Sequence, residues 1–563
     1  MQDKCFPGEK PGRLFRNSVA ILLSLSFGLS SGLQAGTDPQ AKPVIVDLYG
    51  GLTLTSYHPQ SEEAVTAYLD KCAKYGVDQL SVNMFDVGAW SDHLAKNDPR
   101  CDELVTYAFK EAHKMGIKIY ASIPIFGRSE RDEKFVREHG DAIFAHFRDG
   151  RPDTHMLSPA SPEVQQYRLG VIKDFLNRYP LDGIMLDFIR WGNYTADDQY
   201  SVCLTGYDKA VLSRAGVKEG EIPEPSDERM LKARASFVTD FIRMLRSELK
   251  TLRPGLPVGV FNSSAAGRLP SYTYVGQDWE QWEKESLVDE HHPMFLMDSV
   301  PRQLRALQTL GDVRVSKSKI FASAFLAEGY DLEKSQRPTR ESIMELTRRA
   351  VAIGSEGVYV VRNFELELFN LWDVVREIKS LDVAAVRREV GQPHVLNLLS
   401  PDGSDGWQFV TGIADARTKA GLTIDPTKID GGVVEMEQTV CGFPNTGVHA
   451  TRSLGFEVSY KDEDPDKKAV IEARVRLTYQ KGEPEEVVIS ADSATTGKDG
   501  LRTIRQNFPV KRSQVLDTAT VSVKVRNGKV TIPMTALYFD ALDNPLESKT
   551  LADHLKKIPE RAN

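Results

Sequence analysis

Eight short apolar runs alternate with longer stretches of helical spacing between residues 43 and 381. Strand-like runs fall at 44–49, 79–84, 118–123, 183–187, 257–261, 287–289, 320–325 and 357–361. Helix-like stretches fall at 62–75, 103–115, 163–178, 227–252, 278–285, 339–353 and 367–381. A helix between successive strands lets them pair in parallel, and eight such units close into a (β/α)8 barrel. Gly76, Gly116 and Gly354 each stand between a helix and the next strand, where a left-handed residue ends the helix. No Gly-x-Gly-x-x-Gly follows the first strand, which argues against an open dinucleotide-binding sheet. The barrel is expected over 43–385.

Two connections, 124–161 and 192–226, are long for barrel loops. Both follow strand ends, where long loops shape a cleft. Beyond about 392 the pattern becomes all-β, with strand-like runs at 433–440, 455–460, 470–479, 487–490, 518–526 and 529–539. Asn527-Gly528 is a hairpin signal, since both residues tolerate positive φ. An antiparallel β-sandwich is expected over 425–545, after a linker or irregular segment at 386–424 and before a tail at 546–563.

Arg13 and Arg16 precede an apolar stretch, 19–29, and small residues up to Ala35. That order reads as a signal peptide over 1–35 and places the mature protein in the periplasm or outside the cell. The alternative is an uncleaved anchor, which the shortness of the apolar core disfavours. With the signal removed, no membrane partner is expected. The formal charge of −8 argues against nucleic acid. Cys72, Cys101, Cys203 and Cys441 show no zinc spacing. Oligomeric state is not readable.

The chemistry gathers in Leu181-Asp182-Gly183-Ile184-Met185-Leu186-Asp187-Phe188-Ile189-Arg190-Trp191. An apolar strand ends in an acid, an aromatic, a cation and a second aromatic. Such residues pack a barrel interior poorly but suit a site for a polar, ring-shaped ligand. Asp187 ends the fourth strand and is the first catalytic candidate; its plainer role is a salt bridge to Arg190. Arg190 can bind a substrate or hold Asp187 ionised. Trp191 can stack on a ligand ring or pack beneath a loop. Asp182 starts the strand, on the opposite face, and reads as structural.

These residues carry a resemblance. Ser158-Pro159-Ala160-Ser161-Pro162-Glu163-Val164, a helix, then Asp182-Gly183-Ile184-Met185-Leu186-Asp187 and Arg190 is similar to the signature of glycosyl-hydrolase-like barrels of bacteria. Asp278-Trp279, Trp282, Leu287-Val288-Asp289 and Pro293-Met294 resemble a second stretch of that family. Phe188 departs from the pattern, standing where many relatives carry another polar residue. The resemblance implies the barrel and a sugar-related role, with a carbohydrate as partner and no cofactor.

Glycosidic cleavage needs one acid to protonate the leaving oxygen, and a carboxylate to attack the anomeric carbon or activate water. The partner for Asp187 is sought on another strand. Glu328, in Phe325-Leu326-Ala327-Glu328-Gly329-Tyr330, follows the seventh strand; a solvated loop residue is the plainer reading. Asp86, Asp298 and Glu365 are weaker alternatives. His58, Asn83, Asn262 and His292 stand near other strand ends and can bond sugar hydroxyls, although each alone is more often structural. Asp86 and Asp298 are counted with this substrate-binding set as well. His291-His292 with Asp298 invites a metal reading, but adjacent histidines on a strand point apart, so no metal is assigned. The expectation is an exported glycoside hydrolase acting on a poly- or oligosaccharide. Its alternative is a non-catalytic carbohydrate-binding barrel or cell-envelope scaffold.

Overall fold

The computed structural model describes residues 42–49, 61–84, 99–129, 132–192, 203–263, 271–272, 275–294, 314–323, 340–361, 366–367, 369–389, 397–399, 407–412, 416–418, 421–441, 443, 453–463, 469–489, 494–497, 500–511 and 516–539. Eight parallel strands close a barrel: β1 (Ile45–Tyr49), β2 (Gln79–Asn83), β3 (Lys118–Pro124), β4 (Gly183–Asp187), β5 (Val258–Ser263), β6 (Glu290–Met294), β7 (Lys319–Ser323) and β8 (Gly357–Val361). Around them run α1 (Glu62–Tyr75), α2 (Pro99–Lys114), α3 (Pro162–Arg178), α4 (Glu228–Leu252), α5 (Trp279–Lys284), α6 (Arg340–Ile353) and α7 (Trp372–Lys379). Gly76, Gly116 and Gly354 take φ of +87°, +76° and +108° and turn the chain from helix to strand.

β6 begins at Glu290, beyond the 287–289 run that the sequence suggested. Glu290, two histidines and Pro293 are poor strand formers, and only the closed parallel ladder imposes an extended backbone on them. The 124–161 connection holds a helix, Glu133–His139, and a two-stranded hairpin, Phe144–His146 with Pro152–Leu157.

Alternation along each strand separates two cores. Val46, Leu48, Val82, Ile119, Leu186 and Val260 belong to the large core that includes the surrounding helices. Met185, Phe261, Phe321 and Tyr359 form a separate, smaller cluster on the interior face. Interior glycines make room for them. A Cβ at Gly183, Gly259 or Gly357 would lie 2.4, 2.5 or 2.5 Å from Tyr120, Met185 or Phe321.

The base of the barrel carries a fourfold pattern of acids. Asp78, Asp182, Asp289 and Glu356 each immediately precede an even-numbered strand. Their carboxylates accept the backbone N–H of Val46 (2.8 Å), Ile119 (2.7 Å), Val258 (2.8 Å) and Ile320 (3.0 Å), all on odd-numbered strands. Each also meets a basic side chain: Lys379 at 2.8 Å, His113 at 2.8 Å, Arg246 at 2.5 Å and Arg314 at 2.6 Å. Every one of these partners comes from the segment after the preceding even strand.

The C-terminal region forms two antiparallel sheets, and their residues share one apolar core. Its strands are β9 (Gln408–Thr411), β10 (Ala416–Thr418), β11 (Gly421–Ile424), β12 (Val433–Cys441), β13 (Ser453–Asp462), β14 (Val470–Tyr479), β15 (Glu485–Ile489), β16 (Thr495–Thr496), β17 (Arg502–Pro509), β18 (Leu516–Arg526) and β19 (Val530–Phe539). One sheet runs β9-β12-β18-β14-β15 and the other β10-β11-β19-β13-β17-β16. Two expectations are corrected. The 386–424 segment is not a linker throughout, since β9, β10 and β11 are strands of these sheets; their shortness hid them. Asn527 does take φ of +71°, yet β18 and β19 lie in different sheets. The tight turn is a crossing between layers, not a hairpin.

The two domains are joined by a buried contact. Arg349 of α6 donates to the Asn397 carbonyl at 2.6 Å. The Asn397 side chain donates to the Thr535 carbonyl and accepts from Leu399 and Leu537 backbone N–H groups, at 2.9–3.0 Å.

Candidate active site at the barrel mouth

Asp187 is the last residue of β4, on the same interior face as Met185, and is 7% exposed. Both carboxylate oxygens accept hydrogen bonds. The Tyr49 hydroxyl, from the end of β1, donates to Oδ2 at 3.1 Å, and the Phe188 N–H donates to Oδ1 at 2.8 Å. Phe188 holds φ of +45°, an unfavourable conformation for a bulky side chain and one that recurs at functional sites. Its neighbours enforce it. The Asp187 and Phe188 carbonyls accept Ile125 N–H at 2.7 Å and Phe126 N–H at 3.2 Å, and Arg190 N–H returns to the Phe188 carbonyl at 2.8 Å.

The Phe188 ring lies against Gly127, where a Cβ would come within 2.9 Å, and the Arg190 guanidinium lies 4.7 Å from the ring centroid. Phe188 is 37% exposed. The loop carrying Gly127 is held from behind by Arg168. Its guanidinium donates to the Ile125 and Gly127 carbonyls and forms a fully buried pair with Asp132 at 2.7 Å.

Other sequence candidates divide sharply. Asn83 ends β2 on the interior face shared with Ser81, half-buried. Trp191 does not present a ring to a ligand: it is fully buried, and its indole N–H donates to the Arg234 carbonyl at 3.0 Å. The strand ends at Asp187, so the chain is free to turn Trp191 inward, where it packs against Gly206 and Gly276. Phe188, read as a departure from the family pattern, is the exposed aromatic beside Asp187. Asn262 is also corrected. It alternates with the inward Phe261, so it points to the helix layer and bonds His291 at 3.1 Å. His291 in turn bonds Glu283 of α5 at 2.8 Å. His292 points the other way, into the barrel, fully buried below the mouth and stacked on Phe321 at 4.3 Å. His58, Asp86, Asp298, Glu328 and Glu365 lie outside the described residues.

The motif residues also separate by role. Ser161 caps α3, accepting Val164 N–H at 3.3 Å, and Asp278 caps α5, accepting Gln281 N–H at 3.1 Å. Trp279 and Trp282 are fully buried. Gln277, unmarked in the sequence, donates to the carbonyls of Ile189 and Phe261 and accepts Ser263 N–H at 2.7 Å. It therefore ties the end of β5 to the chain beyond Asp187. A lone glutamine before a helix gave no sequence signal.

Beneath the mouth the interior is polar on one side. Asp47 of β1 accepts from Ser81 at 2.7 Å; Glu290 accepts from Tyr120 at 3.2 Å and pairs with Lys319 at 3.0 Å. Burial pushes the Asp47 carboxyl up to about 8, and the Glu290 charge adds to that. Burial likewise lowers His292, against the pull of the neighbouring Glu290 charge. Burial also opposes ionisation of Glu290, but His292 and Lys319 outweigh it and hold Glu290 below the ordinary range.

A closed parallel barrel with polar groups at the C-terminal ends of its strands is the arrangement of sugar-processing and many other barrel enzymes. Residues 81–341 match the family described as Glycosyl hydrolase-like 10, the kind of family that the sequence resemblance implied. No curated protein matches the sequence. Among solved structures, the chain is similar to the PgaB (BpsB) glycoside hydrolase domain from Bordetella bronchiseptica, with 14% identity, 60% of this chain and 99% of that one covered, and a TM-score of 0.43. It is also similar to the catalytic domain of a beta-amylase from Paenibacillus polymyxa (11%, 61% and 98%, 0.42). A third is alpha-L-fucosidase isoenzyme 2 from Paenibacillus thiaminolyticus (11%, 60% and 49%, 0.41), of which the match spans about half.

Proposed function

We propose that this protein is an exported glycoside hydrolase that cleaves a poly- or oligosaccharide at the C-terminal mouth of its barrel. The observation that carries this reading is Asp187: an acid on the interior face at a strand's C-terminal end, with both oxygens held by donors and a strained residue next to it. Two oxygens that both accept suit a carboxylate that attacks the anomeric carbon or takes a proton from water. The proton for the leaving oxygen then comes from a second acid. Glu328, after β7, is our assignment, with Asp86 or Asp298 as its replacement. Phe188, Arg190 and Asn83 would contact the sugar, while His58 stays in the substrate-binding set on sequence grounds. Export rests on the basic, apolar and small-residue order of the first 35 residues.

A reducing-end assay of the purified mature chain against a polysaccharide panel tests this, with Asp187→Asn and Glu328→Gln alongside. Cleavage that Asp187→Asn abolishes supports the reading. If Glu328→Gln retains full activity, only the partner assignment fails. Binding of a glycan without cleavage would establish the carbohydrate-binding barrel instead.

A further inference from the structure

The interior below Asp187 holds more polar groups than its own side chains satisfy. Asp47 Oδ1, Gln79 Nε2, Ser122 Oγ, Glu290 Oε2 and both nitrogens of His292 are buried, and none has a hydrogen-bond partner among the described residues. They are neighbours. His292 Nδ1 lies 3.8 Å from Asp47 Oδ2, and His292 Nε2 lies 3.5 Å from Glu290 Oε2, with no hydrogen bond across either gap. Gln79 pairs in register with Asp47. Ser122 shares the interior face of β3 with Tyr120, which bonds Glu290.

Buried polar atoms of a native protein are almost always answered, by protein or by a bound molecule. We propose that these five residues form an enclosed water-binding site on the barrel axis. The donor set chooses the occupant. Glu290 offers an acceptor oxygen, Gln79 offers amide hydrogens, and Ser122 and the Asp47 carboxyl can do either. His292 presents a ring N–H donor and, in its neutral form, an acceptor nitrogen as well. A cation would meet the amide and imidazole hydrogens, and an anion would meet the Glu290 carboxylate. Water, which donates and accepts twice, satisfies both kinds. Phe261, Phe321 and Tyr359 surround His292, at ring distances of 5.7, 4.3 and 5.2 Å. Lys319, 39% exposed, pairs with Glu290 on the side toward the barrel base. The site is thus walled by rings and flanked by an ion pair, so its waters exchange slowly.

Crystals of the full chain at atomic resolution test this. We expect water density within hydrogen-bonding distance of a His292 nitrogen and of Asp47 or Glu290. A dry interior, with His292 bonded directly to both acids, would overturn the proposal. So would an anomalous peak at the site in crystals soaked in rubidium chloride. Oxygen-17 relaxation dispersion gives a second readout on the wild-type protein in solution. It should show a long-lived internal-water contribution that falls in a folded His292→Phe variant; an unchanged contribution in that variant would refute the site. If His292→Phe does not fold, the wild-type crystal decides.

Discussion

The two ends of the barrel use the same residue type in opposite ways. At the base, Asp78, Asp182, Asp289 and Glu356 precede their strands, and each is answered by a neighbouring strand's N–H and by a basic side chain. These acids fasten odd strands to even ones. At the mouth, Asp187 closes its strand and is held by a tyrosine hydroxyl and by the N–H of a residue in an unfavourable conformation. Four residues separate Asp182 from Asp187, and the strand carries one to each end. An acid before the strand braces the sheet, and the acid that ends it lies at the mouth, on the interior face.

Asp187→Asn is the strongest test of this division. On a substrate the wild type cleaves, turnover should fall by about 10²–10⁴-fold, with the melting temperature nearly unchanged because the shapes match. Full activity in this variant would erase the distinction between the ends. The next test lies between them. Asp47 has a folded-state value raised from 3.8 to about 8, so its stabilising contribution is complete below pH 3.8 and is lost as pH rises toward 8. Asp47→Asn should remove that loss. Urea melts across this window should differ between variant and wild type by a slope approaching about 1.4 kcal/mol per pH unit, in the sense that the variant gains relative stability as pH rises.

At the base, Asp289→Ala removes an acceptor from Val258 N–H and a partner from Arg246. Because Asp289 is about half exposed, the cost should be about 1–2 kcal/mol in urea titration, with kcat preserved in the folded fraction. A loss of kcat without loss of stability would blur the comparison from the other side. The smallest effect is expected from Tyr49→Phe, which removes one donor to Asp187. A fall of about tenfold in kcat with KM little changed would match the loss of one hydrogen bond.

Much of this architecture was legible in the sequence because periodicity and glycine placement are local. α1 and β4 fall where their spacing put them, and Asp182 and Asp187 separate by their place along one strand. What failed was whatever needed a partner distant in sequence. β6 is a poor strand in isolation and is extended only by β5 and β7. Trp191 looked like a ligand platform until Arg234 and two glycines enclosed it. Asn262 required the alternation already applied to His291 and His292. The four-way regularity at the base was invisible because Asp78, Asp182, Asp289 and Glu356 share no surrounding motif, only a position.

The contact between Arg349 and Asn397 bears on how the protein is made. A ribosome releases the barrel helices long before β19, yet the asparagine that meets α6 is itself held by Thr535 and Leu537. Until those last residues emerge, a guanidinium on the barrel's side faces an unfinished neighbour. A chain halted after residue 385 would therefore carry a barrel with one flank unsealed. β19 completes the flank of the first domain as well as its own sheet.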